Sequence, residues 1–360
     1  MAEQFARTDG EFESHRHDSG RTVIVTGASG VVGRALMSRL RHSHVICLAH
    51  RQPVQGHGVT TVFGDIAAPE LGLPQREYRN LVARADAVIH CAAVTDFHRS
   101  DGSLEATNIN GTANVVALAE AAEATLYHVS TAFVHTETTG ARGSKAVNYA
   151  ASKRSGEAIV KAAQTPHVIL RPSIVIGDSR SGYIETFQGL HQVAAAISAG
   201  SVPMIPFDPT WPIDFVPSDF VADAIASVYE NQVAEGEFWI TAGDRALRLA
   251  EAVALCVAHA RDVGAALDAP RFVPPDLFDR LIGPVFLDAL PIRVKMTVLK
   301  LLEFFSTYLA AGTALPSSHP ALQALGVAAL PNQAASLQRS LDYWSTQSGF
   351  AAKYATAKVA

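Results

Sequence analysis

Cysteine is scarce in this chain of 360 residues, with three present at Cys47, Cys91 and Cys256. They are odd in number and far apart, with no C-x-x-C pair, which argues against a disulfide framework and against a zinc site. Reduced, buried thiols in a cytoplasmic protein are the expectation. The fourteen histidines form no ligand-like cluster either, so no metal is expected. Charge is sparse at 18%, and the net value of −5 lacks the basic excess that nucleic-acid binders carry. No uninterrupted apolar run reaches the length needed to span a bilayer. The opening residues, 1–20, are polar and lack the apolar core of a signal peptide. They read as a disordered tail, and secretion is not expected.

Apolar residues, by contrast, make up 48% of the chain, enough for one large or two small domains with an ample core. Residues 21–175 alternate short apolar runs with helical patterns, the signature of a parallel sheet wrapped by helices. Strands are expected at Thr22–Thr26, His44–Ala49, Thr60–Phe63, Ala87–His90, Leu126–Ser130 and His167–Arg171, with helices at Gly33–Arg41, Thr112–Ala122 and Tyr149–Ala163 between them. Val23, Ile24 and Val25 are apolar in succession, as in a strand covered on both faces. The fold class is therefore α/β, a Rossmann-type doubly wound parallel sheet, with a smaller, mostly helical C-terminal substrate lobe. Residues 21–175 would form the dinucleotide-binding domain and 214–240 would return to it through a helix capped by Ser218 or Asp219 and a strand at Glu237–Ile240. Residues 176–213 and 241–350 would form the lobe. The apolar stretch Val294–Leu309 reads as a wall of the substrate pocket, with a membrane-touching helix as the alternative.

Thr26-Gly27-Ala28-Ser29-Gly30-Val31-Val32-Gly33 follows the first strand and opens the first helix. Glycines there allow a tight turn, a pyrophosphate close to the backbone, and close helix–strand packing. The second strand ends Ala49-His50-Arg51, without the acid that would bind ribose hydroxyls of NAD. Arg34 and Arg51 are either guanidinium partners for a 2′-phosphate or solvated surface residues; NADPH is expected ahead of NADH. Asp65, in Gly64-Asp65-Ile66, is either an adenine contact or a turn aspartate. Tyr149 and Lys153 stand four apart on a helix and share a face. A cation beside a phenol lowers its pKa, which would ready Tyr149 for proton transfer near neutral pH. Thr131 closes a strand upstream, with Ser130 as its substitute. His90 reads as a structural histidine on the adenosine side. Asp178, Arg180 and Tyr183 stand where the lobe begins and are either substrate contacts or surface-loop residues.

Taken in order, these stretches resemble the extended short-chain dehydrogenase/reductases. The matching wording is TGASGVVG, Gly64-Asp65-Ile66, His90-Cys91-Ala92-Ala93, Asn108-x-Asn110-Gly111-Thr112, Ser130-Thr131, Tyr149-x-x-x-Lys153 and Arg171-Pro172-Ser173, over residues 21–240. Gly64 to Leu73, His128 to Val134, Arg171 to Asp178 and Asp214 to Pro217 resemble more narrowly the fatty acyl reductases and thioester reductase domains, the male-sterility type. The resemblance implies an NADPH-dependent reductase acting on an acyl thioester, delivered in trans on coenzyme A or a carrier protein, or on its aldehyde. A homodimer is compatible with it. It implies Thr131, Tyr149 and Lys153 as the catalytic set. It also implies cofactor contacts from Gly27, Ser29, Gly30, Val31, Gly33, Arg34, Arg51, Asp65, Ile66, Ala92, Ala93, Pro172 and Ile174, together with Tyr149 and Lys153. The alternative is an extended-type dehydrogenase, epimerase or dehydratase acting on a sugar nucleotide or sterol-like substrate.

Overall fold

In the computed structural model, residues 20–95, 102–135, 145–187, 189–278 and 312–355 are described, with scattered positions between 279 and 311. The N-terminal segment 1–19 and most of Val294–Leu309 lie outside the described residues. The apolar runs become one parallel sheet of seven strands. Six of them are β1 (Thr22–Thr26), β2 (His44–Ala49), β3 (Val59–Phe63), β4 (Ala87–His90), β5 (Thr125–Val129) and β6 (His167–Pro172). The spatial order is β3–β2–β1–β4–β5–β6, and Gly236–Ile240 adds at the edge beside β6. The order reverses between β1 and β4, and in such sheets the crevice beyond the strand ends at that point receives the ligand. Thr26 and His90 end those two strands in paired register.

Alternation along each strand divides the packing into two layers. On one face Val23, Val25, Val45, Ile89, Tyr127 and Leu170 pack with Leu36 of α1 (Val31–Met37) and with Val221, Ile225 and Val228 of α6 (Ser218–Glu230). On the other face Ile24, Ile46, Val88, Leu126 and Ile169 meet three helices. These are α2 (Gln75–Arg84), α3 (Gly111–Ala121) and α4 (Lys145–Lys161), contributing Leu81, Val115, Leu118 and Val160. A third apolar cluster gathers Val193 and Ile197 of α5 (Gly189–Ser198), Val253 and Val257 of α7 (Leu249–Asp262), and Leu337 and Leu341 of the helix Gln333–Gln347.

Two local expectations change. The first helix stops at Met37, short of Arg41, because Arg39 N–H returns to the Leu36 carbonyl and the Ser38 hydroxyl to that of Ala35, closing a tight final turn. Neither Ser218 nor Asp219 caps α6, whose N-cap position is Pro217. The Asp219 carboxylate is used elsewhere, accepting the backbone N–H and the hydroxyl of Ser179 at 2.9 and 2.6 Å. Short ladders that no periodicity announced pair Ile174–Ile176 with Phe215–Pro217 and Pro212–Ile213 with Leu247–Arg248. No helix among the described residues is long and apolar enough to cross a membrane.

Candidate active site

The glycine turn sits at the switch point and is crowded by backbone. Gly27 has φ +70°, and a Cβ there would lie 2.5 Å from the Ala92 amide nitrogen; one on Gly33 would lie 2.1 Å from the Gly27 carbonyl oxygen. Glycine at both positions is what lets the β4 loop and α1 close on the turn. Gly30 stands at the N-cap of α1 with no side chain capping the first turn, so the turn presents backbone N–H groups beside the Ser29–Val31 edge. Ala92 joins this cradle by donating its N–H to the Thr26 hydroxyl at 3.2 Å. The uncapped start of α1 in this closely packed turn fits a dinucleotide pyrophosphate.

Around the turn, the other expected cofactor contacts are partly engaged. Arg34 pairs with Glu185 at 3.1 Å, and both remain partly exposed. Arg51 is exposed. Asp65 accepts the Ala67 N–H at 2.9 Å, which closes its own turn, while its second oxygen lies 3.9 Å from His50 Nε2. The Ile66 side chain rests against Gly111 at the start of α3. Ala93 follows Ala92 in the β4 loop, and Pro172 and Ile174 end β6 and begin the short strand after it. Asp178 accepts N–H groups of Arg180 and Ser181, and the Tyr183 ring stacks edge-on to Tyr343 at 5.6 Å, which ties this loop to the helix Gln333–Gln347.

Thr131, Tyr149 and Lys153 come together at the end of β5. Thr131 caps a short 3₁₀ turn, accepting the Phe133 N–H, and shares a hydrogen bond with the buried Tyr149 phenol. Ser130 lies beside it, with its hydroxyl buried and without a hydrogen-bond partner among the described residues. Lys153, 2% exposed, donates from Nζ to the Val129 carbonyl oxygen at 2.9 Å. One expectation is overturned here. The tyrosine is not lowered towards neutrality: burial pushes the phenol up to about 12, offset only in part by the Thr131 hydrogen bond. Lys153 is the group that moves towards neutral pH, down to about 8, because burial outweighs the support of Glu157 and Cys91. Tyr149 thus stays a protonated acid throughout the neutral range.

Two parts of this neighbourhood carry no obvious motif. The Glu157 carboxylate holds Arg171 Nε and Nη2 at 2.9 and 2.6 Å, deep beneath α4. Arg171 also bonds Glu237 at 2.6 Å and lies 4.5 Å from the centre of the Trp239 ring. Lys161 reaches the same Glu237 at 2.6 Å. Tyr149, Lys153, Glu157 and Lys161 are spaced by four, so continuing the Tyr–Lys stripe along the helix is the signal that would have found Glu157. His90 is the second part. It is buried under Lys153, with burial and then that ammonium driving its pKa down to about 3. Its ring centre is 5.3 Å from that of His128, whose two nitrogens have no hydrogen-bond partner among the described residues. Cys91, expected to be buried like the other two cysteines, is only partly covered.

Residues 51–225 match the family described as Male sterility protein. The hybrid PKS-NRPS synthetase LUC5 of a Fusarium species is 29% identical over 268 residues, 64% of this chain; the chain spans about 6% of that protein's length. The reductase (R) domain of a nonribosomal peptide synthetase from Mycobacterium tuberculosis superposes with a TM-score of 0.68 at 19% identity, covering 92% of each chain. The Bordetella bronchiseptica enzyme WbmG, in a complex with NAD and UDP, superposes with a TM-score of 0.61 at 17% identity, covering 92% of this chain and 96% of its own. At those identities the structures share the fold. Residues 51–225 thus carry a likeness to the male sterility protein family, and the chain shares its fold with the reductase domain and with WbmG.

Proposed function

We propose that the chain is an NADPH-dependent reductase of an acyl thioester, presented in trans on coenzyme A or a carrier protein, or of the corresponding aldehyde. The observation that carries this reading is the hydrogen bond between Thr131 and Tyr149 at the end of β5, with Lys153 below them and the glycine cradle alongside. The family match over residues 51–225, the synthetase relative and the reductase-domain structure support the thioester as the carbonyl source.

NADPH, when bound, supplies the hydride, with Arg34 and Arg51 as the partners available to its 2′-phosphate. The chain's residues have three tasks. Thr131 and Tyr149 converge as hydroxyl donors on the carbonyl oxygen, where negative charge develops as the C–H bond forms. Tyr149 gives its proton to that oxygen, and the Lys153 cation, held against the Val129 carbonyl, offsets the phenolate left behind. From a thioester the adduct is a hemithioacetal; its C–S bond breaks, the thiol leaves with a proton, and an aldehyde remains. Once Tyr149 has regained a proton from solvent and a second NADPH is bound, a second hydride and a second proton from Tyr149 would carry the aldehyde to the alcohol.

The fold shared with WbmG, in its complex with NAD and UDP, favours one second reading, a sugar-nucleotide epimerase or dehydrogenase. The absence of an acid after Ala49 in β2 weighs against it. Oxidation of NADPH and NADH with a panel of acyl-CoAs, aldehydes, ketones and sugar nucleotides, with product identification, separates the two. NADPH oxidation with release of free thiol supports the thioester reading. NADPH binding with no turnover of any thioester or aldehyde overturns it.

A further inference from the structure

Two runs of hydrogen bonds, one ending on the Asn108 carbonyl and the other starting from the Asn108 side chain, lead from the cofactor turn to the backbone of Tyr149, and His90 is the central member of the first. Its direction follows from donors that have no choice. Ala92 N–H can only donate, and it does so to the Thr26 hydroxyl oxygen at 3.2 Å. The Thr112 hydroxyl spends its one proton on the Asn108 carbonyl at 2.8 Å. Thr112 Oγ1 therefore faces His90 Nε2, 3.3 Å away, as an acceptor, and Nε2 must carry the ring proton. Nδ1 is then the acceptor, and the Thr26 hydroxyl donates to it at 2.7 Å. Every hydroxyl and ring nitrogen in the line is used, and Thr26, His90, Asn108 and Thr112 are each at most 1% exposed.

Asn108 extends the line to the catalytic helix. Its side chain clasps Val94 in the β4 loop, accepting from that N–H at 2.8 Å and donating to that carbonyl at 3.0 Å. The same amide nitrogen lies 3.0 Å from the Ser152 hydroxyl, which donates to the Tyr149 carbonyl at 2.7 Å. Asn108 belongs to a π-helical turn, Glu105–Asn110, a geometry common at functional sites. Gly156 lets α4 settle on that turn, since a Cβ there would lie 2.9 Å from the Asn108 carbonyl oxygen.

We propose that His90 is a positioning residue, fixed in its Nε2–H form, that couples the geometry of the cofactor turn to the placement of Tyr149. The proposal rests on Tyr149 being the acid of the reductase reading. Burial and the neighbouring Lys153 keep the ring neutral, which the one-way line requires. A histidine that merely filled the core would affect stability without dividing its effects between cofactor and turnover.

The test begins with the unsubstituted chain labelled with ¹⁵N-histidine. NMR should show His90 in the Nε2–H form across the neutral pH range, with a shift on adding NADPH; an Nδ1–H or doubly protonated ring overturns the proposal. Three substitutions then divide the line. His90→Asn keeps an acceptor towards Thr26, His90→Gln keeps a donor towards Thr112, and His90→Phe keeps neither. Each lost buried bond is expected to cost about tenfold. His90→Asn should lose it in kcat with NADPH affinity retained, His90→Gln in NADPH affinity with saturating kcat retained, and His90→Phe in both. Equal kcat and NADPH affinity per folded molecule in all three overturns the coupling. If the unsubstituted chain reduces no carbonyl, the reductase reading fails and the coupling to Tyr149 fails with it, while the tautomer and the NADPH affinity of His90→Gln against His90→Asn still judge the place of His90 beside the cofactor turn.

Discussion

The Lys153 ammonium lies 2.9 Å from the Val129 carbonyl oxygen, so the cation on α4 is anchored to the end of β5 two residues before Thr131. That anchor explains how Tyr149, one turn earlier on the same helix, meets Thr131 across the gap between the two elements. In the proposed mechanism it also divides the labour between the two members of the stripe: the tyrosine holds the proton and the lysine supplies the charge.

The Tyr149→Phe variant should therefore keep its cofactor affinity and lose turnover by about 10²–10⁴-fold, the usual worth of a positioned acid. Thr131→Val should also lose turnover, through one oxyanion donor. NADPH oxidation rates alongside fluorescence titration of cofactor binding check both, and a Tyr149→Phe enzyme of full activity removes the tyrosine from the mechanism.

The pH limit of the reaction should belong to Lys153. Burial brings the ammonium down to about 8, so reduction should hold through neutral pH and fall as the pH rises past that value and the cation is lost. Glu157, one turn further along, opposes this by favouring the charged form. Replacing it, Glu157→Gln, keeps an acceptor for Arg171 but removes the negative charge, so the alkaline fall should move to lower pH. A kcat profile against pH reads the shift; an unmoved profile would mean that another group sets the limit.

Arg34 is already paired with an internal carboxylate, Glu185, at 3.1 Å. If Arg34 serves the 2′-phosphate, the two anions compete for it. Glu185→Gln should then tighten NADPH by a factor of about five or less, since exposed pairs are worth about 0–1 kcal/mol, and leave NADH unchanged. Arg34→Ala should weaken NADPH alone. Titrations with the two cofactors side by side decide it, and equal changes in both would remove Arg34 from cofactor discrimination.

The sheet was legible because a strand covered on both faces must be apolar along its interior, as Val23–Val25, Val45–Ala49 and Ala87–Ile89 are. Thr131, Tyr149 and Lys153 stood out for a similar reason, since short-range spacing and order carry them. The perturbation of Tyr149 was not legible, because its sign depends on burial against a partner contact, and burial is created by segments far along the chain. Arg171 shows the same limit: its partners Glu157 and Glu237 lie 14 and 66 positions away, on different elements. The ladders of two or three residues around the third cluster are too short to show any period. His90 had a visible position and an invisible role, because its function in the fold depends on which neighbours have protons to give.

Asp214 supplies a final test, independent of turnover. Its carboxylate is buried at the end of the Pro212–Ile213 ladder and accepts the N–H groups of Ala242 and Gly243, each at 2.8 Å. Burial dominates over these bonds and raises its pKa to about 6 from 3.8. Between those values the folded chain binds a proton that the unfolded chain has released. The contribution of this group to stability is therefore greatest in acid, falls as the pH rises from about 4 to about 6, and is level above that. Asp214→Asn, which cannot ionise, should remove that part of the slope. Asp214→Ala should lose the slope too and be destabilised at every pH, by about 1–3 kcal/mol for each amide left without a partner. Urea unfolding of the three proteins across this range measures both effects. A slope that survives in Asp214→Asn would assign it to other groups.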